Sequence, residues 1–296
     1  MAQRCFEEGV RKVSLSFLSY NAGLLRVGMG YEPVPHVGRR LAVIPTAIAR
    51  VRADVVALQE VYEDRDREEI HHRIRHHLPH RAYVRGGRFR YDSGLMTLSR
   101  HPHASRLVRF ERGAFEEQWI GWKSVLISDL NVPGVGALTV LNLHATAGGL
   151  FTLPDHPSVE ALREHQMRQV VELASRARGI PVILGDFNAG PGVADKNYRC
   201  LLGAGYVDVY GHLHPESAQC TWDPRNLLSA DGPHRACPPQ RIDHVFVRAS
   251  DVDSGRVTLA DARVVFTECE VRLPGGGHVT PSDHYGLLTR LEFARR

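Results

Sequence analysis

Residues 181–192 read PVILGDFNAGPG. Four apolar residues run into Gly-Asp-Phe-Asn and then into a Gly-Pro-Gly turn. The apolar run is continuous rather than alternating, as in a strand covered on both faces. Such a strand ending in a carboxylate (Asp186) and a carboxamide (Asn188) offers polar groups at its C-terminal end, where open sheets meet ligands. The same arrangement recurs along the chain. Asn21 follows LSFLSY, Glu60 follows VVALQ, and His144 follows TVLNL. Asp243 lies in RIDHVFV, and Asp283 and His284 sit in TPSDHYG, just ahead of the last apolar run. One such residue is usually a turn former or a helix cap. Their recurrence at strand ends argues for a site.

Strand-like runs fall at 12–20, 54–59, 94–99, 123–130, 137–144, 181–186, 241–247, 256–266 and 285–293, each bordered by turn residues. Val37, Leu41, Ile44, Ile48 and Val51 share one helix face, with Pro45 inside the pattern and expected to kink or split it. Residues 64–78 and 158–177 also read as helices, the second with Ser158 as its cap. Strands outnumber helices and the helices are scattered. That predicts an α/β or α+β sandwich with mixed sheets, not a regular βαβ alternation.

Composition sets outer bounds. The chain has 296 residues, 43% hydrophobic and 24% charged, which is ordinary for a globular protein. The net charge of +4 is too small to argue for nucleic acid by itself. No apolar run reaches the roughly eighteen residues of a membrane span. The first residues carry charges of both signs and no apolar signal-peptide core, so a cytoplasmic location is expected. The chain is expected to act as a monomer. Of seventeen histidines, many cluster in EEIHHRIRHHLPH (68–80), which reads as a solvated helix face rather than metal storage. The five cysteines include no CxxC, and free thiols are expected, with a Cys220–Cys237 pair left open.

The stretches YNAG, VVALQEVY, GLMTLSRHP, LNLHATAGG, ILGDFNAGPG, QRIDHVFV and SDHYGL together resemble the endonuclease/exonuclease/phosphatase superfamily. That superfamily includes deoxyribonuclease I-like nucleases, inositol polyphosphate phosphatases and neutral sphingomyelinases. The resemblance runs from about residue 13 to 293. It implies a four-layer α/β/β/α sandwich with two mixed β-sheets, and one catalytic domain over 1–296. It also implies phosphoester hydrolysis at a divalent cation, Mg²⁺ first, with Mn²⁺ or Ca²⁺ as alternatives. Hard cations prefer oxygen donors, which suits Asn21 and Glu60, with Asp283 on the same metal side. His284 paired with Asp243 is the implied base, and Asp186 positions the water. Asn188 donates to a phosphate oxygen from the same strand face as Asp186. His144 donates to a non-bridging oxygen or to the leaving group. Trp222 and Arg241 are the implied substrate-binding residues.

Three departures choose the branch. Gly23 stands where abasic-site nucleases carry Asp, and His144 fits sphingomyelinases and deoxyribonuclease I-like enzymes. QCTWDPRNLLSADGPHRACPPQRIDHVFV (219–247) resembles the sphingomyelinase pattern. The expected function is a sphingomyelinase-like phosphodiesterase of phospholipase C type acting on a lipid head group. A metal-dependent nuclease is the alternative, with Arg81, Arg85, Arg88 and Arg90 as phosphate contacts. A second is an enzyme acting on a small soluble phosphoester. Phe115, Trp119 and Trp122 are weighed both as a lipid-facing loop and as core packing. Gly148 and Gly149 are weighed as a phosphate cradle and as a plain turn.

Overall fold

The computed structural model describes residues 12–28, 30–85, 92–115, 117, 121–148, 156–229 and 234–295. Alternation of side chains along each strand decides how its layers form. In β1 (Lys12–Asn21), Leu15 and Phe17 face one side, and Leu18 and Tyr20 the other. β1 is joined in one sheet by β2 (Val55–Gln59), β3 (His80–Ala82), β4 (Met96–Ser99), β11 (Val257–Val265) and β14 (Gly286–Ala294), in the order β11-β14-β1-β2-β4-β3. The second sheet contains β5 (His103–Arg109), β6 (Ser124–Val132), β7 (Gly136–His144), β8 (Ile180–Asp186), β9 (Tyr206–Asp208) and β10 (Asp243–Arg248), in the order β5-β6-β7-β8-β10-β9. A small hairpin, β12 (Val271–Arg272) and β13 (His278–Val279), stands apart.

The inner faces of the two sheets meet in one apolar layer. Phe17, Val55 and Ala57 pack there against Val140, Val182 and Val245. The outer face of the first sheet is covered by α1 (Val37–Val51) and α2 (Asp64–Ile74), through Ile44, Ile48, Ile70 and Ile74. The outer face of the second is covered by α3 (Pro157–Ser175) and α4 (Asp195–Gly203), through Met167, Val170 and Leu201. Each such aliphatic side chain contributes about 1.5–3 kcal/mol on burial. Two short helices, α5 (Val209–Leu213) and α6 (Ala249–Asp253), follow later in the chain. The α/β/β/α sandwich with two mixed sheets is therefore as expected.

Each sheet holds one parallel pair among antiparallel ones, β1 with β2 and β7 with β8. Parallel strands end on the same side. Asn21 lies level with Gln59, and His144 level with Asp186. Asp243, at the start of antiparallel β10, pairs with Asp186, and Ser124, at the start of β6, pairs with His144. One rim thus collects the ends of β1, β2, β7 and β8 and the starts of β6, β10 and β14.

Local details differ from the sequence reading. α1 runs unbroken through Pro45. α2 stops at Ile74 rather than 78, before three turn residues. α3 is capped by His156, whose side chain accepts from the Ser158 amide, with Pro157 in the first turn. Cys220 and Cys237 are not joined in a disulfide. Among the described residues no helix is long and apolar enough to cross a membrane.

Candidate active site

The rim encloses a pit of about 120 Å³ lined by Glu60, His144, Asp186, Asn188, Trp222, Asp283 and His284, among others. Asn21 reaches it through hydrogen bonds to Glu60 and Asp186. Asp243 reaches it through His284. The first sheet supplies Asn21 and Glu60, and the loop entering β14 supplies Asp283 and His284. The second sheet supplies His144, Asp186 and Asp243. The pit therefore straddles the seam between the sheets.

The proton-transfer side is built on a buried pair. His284 Nδ1 lies 2.9 Å from Asp243 Oδ2, and both residues are buried. A carboxylate on one ring nitrogen fixes the tautomer and leaves Nε2 facing the pit. His284 Nε2 is 3.8 Å from Asp186 Oδ2. Burial pushes the imidazolium down, but Asp243 and then Asp186 outweigh it and lift His284 to about 10. His144 is the opposite case. Burial, then the neighbouring Lys123 charge, lowers it to about 3. Its Nε2 lies 2.7 Å from Lys123 Nζ, 3.4 Å from Asp186 Oδ2 and 3.9 Å from Glu60 Oε1. A neutral His144 with the Lys123 ammonium against Nε2 is an acceptor there. That arrangement does not fit the expected donor role from this nitrogen and leaves the Lys123 ammonium as the donor group beside it.

Lys123 is not among the candidate site residues named above, although GWK (121–123) is part of the likeness to the sphingomyelinase group. Its signal is GWK at the head of a strand-like run, a lysine opening an otherwise apolar segment. It is buried, and the Ser124–His144 register carries it to the rim.

The cation side is rich in oxygen. Glu60 sits at a left-handed backbone position (φ 56°) directly after β2, which turns its carboxylate into the pit. Burial raises its pKa; Lys123 lowers it, and Asp283 adds to the rise. Clustered carboxylates of this kind suit a hard divalent cation, which relieves their mutual repulsion. Asn21 Nδ2 donates to Asp186 Oδ2 (2.9 Å) and Glu60 Oε1 (3.3 Å), while its Oδ1 accepts from the Gly23 amide at 3.0 Å. As placed, Asn21 clamps two carboxylates, and its amide must turn over to offer oxygen to a cation. Asp186, Asp243 and His284 also bring ligand atoms within 4.8 Å of one another. His284 is already engaged with Asp243 through Nδ1, however, and a hard cation prefers oxygen, so Glu60, Asp186 and Asp283 are the better donors.

Two further expectations need correction. Arg241 faces away from the pit. Its guanidinium bonds Asp208 and lies 2.9 Å from His244 Nδ1, at a separate cavity of about 610 Å³. The alternation of β10 explains this: Arg241 and Asp243 share a face only while the strand is regular, and regular pairing begins at Asp243. Asn188 does reach the pit, but not by sharing a strand face with Asp186. β8 ends at Asp186, Asn188 is left-handed (φ 48°), and its Nδ2 donates to Ala145 O at 3.0 Å. Trp222 lines the pit as expected, bridged to Gln240 and His284.

The proposed surface features separate. Phe115 is 72% exposed, whereas Trp122 is half-buried and its Nε1 donates to Phe110 O. Trp119, Arg88, Arg90 and Gly149 lie outside the described residues. Arg81 pairs with Glu68, and Arg85 lies 3.9 Å from Asp64, so neither forms a bare cationic groove. Gly148 holds a positive φ of 103°.

The model of the endonuclease/exonuclease/phosphatase family matches residues 18–284. The chain belongs to this family. A Drosophila melanogaster protein, named as a candidate neutral sphingomyelinase, is 25% identical over 260 residues, 86% of this chain and 56% of that protein. The chain thus spans about half the length of this curated relative. Sphingomyelinase C from Streptomyces griseocarneus superposes with a TM-score of 0.74 at 22% identity, covering 94% of this family member and 99% of the other chain. Staphylococcus aureus beta toxin with bound magnesium ions gives 0.70 at 17% identity, with 94% and 99% covered. D. rerio TDP2 with a single-strand DNA product gives 0.68 at 19%, with 94% and 98% covered. At these identities the structural likenesses speak for the fold. Family membership supports metal-dependent phosphoester hydrolysis by this chain.

Proposed function

We propose that this family member is a divalent-metal-dependent phosphodiesterase that cleaves a lipid phosphodiester between the phosphate and the lipid alcohol. The observation that carries the hydrolytic part is the Asp243–His284 pair, with Nε2 turned toward Asp186 across a pit rimmed by carboxylates. The lipid part rests on the named activity of the Drosophila and Streptomyces proteins. A bound Mg²⁺ supplies neutralisation of phosphate charge and polarisation of the phosphoryl oxygen, and Glu60, Asp186, Asp283 and a turned Asn21 would hold it. Asp243 holds His284 in one orientation, and the neutral form of His284 takes the proton of the attacking water at Nε2. Asp186, beside that nitrogen, accepts the water's second hydrogen bond. Lys123, steered by His144, donates to the oxygen on which charge builds. Trp222 forms one wall.

A hydrolysis panel tests this reading: sphingomyelin vesicles, supercoiled DNA, an inositol polyphosphate and a small bis-phosphoester, each with Mg²⁺ and with chelator. Sphingomyelin turnover releasing phosphocholine is expected, lost with chelator and lost in Glu60→Gln. DNA nicking alone would replace the lipid reading with a nuclease. Turnover of the soluble ester alone would replace it with a small-molecule hydrolase. Full activity in chelator would overturn the metal mechanism.

A further inference from the structure

Arg40 lies on the inward face of α1 and is fully buried. Its N–H groups all end on main-chain carbonyls. Nε donates to Pro35 O (2.8 Å), Nη1 to Ala22 O (2.8 Å) and Pro281 O (3.3 Å), and Nη2 to Gly23 O (2.5 Å) and Val34 O (2.9 Å). Among the described residues no carboxylate accepts from it. A buried guanidinium without a bonded anion is a poor way to gain stability, since a packed apolar side chain often serves as well. The identity of the acceptors suggests another purpose. Ala22 and Gly23 directly follow Asn21. Pro281 leads into Ser282, Asp283 and His284. The two segments touch, because a Cβ on Gly23 would lie 2.8 Å from Asp283 Oδ1. Gly23 also has a φ of +57°, which suits glycine.

We propose that Arg40 is a positioning residue for the cation side of the pit, lacing the Asn21 and Asp283 segments together at the spacing needed to hold a divalent ion. It touches neither ion nor substrate. This inference rests on the metal-dependent reading above. Residues that orient ligands from behind typically set about 10–100-fold in metal affinity.

The test is Mn²⁺ binding to the full chain without substrate, read from the electron paramagnetic resonance of free Mn²⁺. Arg40→Lys keeps the charge and loses the fork, and should weaken Mn²⁺ binding about tenfold. Arg40→Gln loses both and should weaken it on the order of a hundredfold. Circular dichroism and a cooperative melt establish that each variant is folded. Unchanged Mn²⁺ affinity in a folded variant, even with a lower melting temperature, would leave Arg40 a structural residue and overturn the proposal. If Arg40→Gln does not fold, Arg40→Lys decides; failure of both to fold assigns Arg40 to the fold and overturns it too. A wild-type chain that binds Mn²⁺ but shows no metal-dependent hydrolysis would bring down the proposed function and leave this inference standing. A wild-type chain that binds no Mn²⁺ would overturn both.

Discussion

A single lysine changes how the two histidines divide their work. Lys123 Nζ, 2.7 Å from His144 Nε2, helps to keep His144 neutral. Lys123→Met should therefore let the His144 pKa rise from about 3, with burial still holding it below an ordinary imidazole. It should also cost about 10²–10³ in kcat if Lys123 donates to the developing charge. A histidine-resolved NMR titration and steady-state kinetics read the two effects; an unchanged kcat would remove Lys123 from the reaction. His284 gives a pH prediction. Its neutral form is the base, and Asp243 and Asp186 lift its pKa to about 10, so activity should rise with pH through the His284 pKa. A Mg²⁺ ion bound by Asp186 and Glu60 would screen part of that lift. The acid limb of the pH–rate profile should therefore move to lower pH as Mg²⁺ increases from limiting to saturating. A limb that stays fixed would argue against His284 as the base beside the cation. Most residues that line this pit were visible in the sequence because they sit at the ends of apolar strand-like runs. Lys123 was not, because its place at the rim depends on which strand pairs with β7, and Arg241, implied only by the resemblance, lies ahead of the regular pairing that begins at Asp243 and bonds Asp208 instead.

The pairing of β7 with β8 shows how much the elements demand of their smallest residue. Gly185 has φ 152°, and a Cβ there would fall 2.0 Å from the Leu143 carbonyl on the neighbouring strand. That carbonyl belongs to backbone and cannot move without opening the pair that sets His144 level with Asp186. Gly185→Ala should cost more than about 3 kcal/mol in a denaturant melt, well above the roughly 1 kcal/mol typical of substitutions. Any folded fraction should be impaired in kcat, because the misfit lies beside the reacting groups. A melt within error of wild type would show that the strands relax freely. All nine strand-like runs became strands, because each carried enough apolar sequence to be half or fully buried. The strands that escaped, such as β3 (HRA) and β9 (YVD), are three residues long. Their pairing is decided by neighbours, not by their own composition. β5 was missed for a different reason. As the exposed edge of its sheet it needs few apolar side chains, and HASRLVR shows no alternation. Helix limits moved for local reasons, as with His156 replacing Ser158 at the α3 cap.

At the scale of the whole molecule, the chemistry depends on two sheets keeping one separation. His284 enters from the first sheet's side and Asp243 from the second; Asn21 and Asp186 make the same crossing. A third link lies deeper. Gln59 Nε2 donates to Asn142 Oδ1 at 2.9 Å, and Asn142 Nδ2 reaches Leu58 O and Met96 O at 3.2 and 3.1 Å. Gln59 directly precedes Glu60, and Asn142 lies two residues before His144, so this bridge ties the cation side to the imidazole side. Sequence pattern assigns the strands to layers, but no apolar period announces two amides meeting between sheets. Asn142→Leu alone leaves Gln59 and two carbonyls without their partner, and should cost about 1–3 kcal/mol or more. The double variant Gln59→Leu/Asn142→Leu replaces both amides with apolar groups and should regain part of that stability. It should not regain activity, because the link between the two halves of the pit is gone. Denaturant melts and kcat/KM on the four proteins of the cycle measure both quantities. If kcat/KM recovers together with stability in the double variant, the bridge acts only on folding, and the spacing of the pit is set by the Asn21–Asp186 and His284–Asp243 contacts alone.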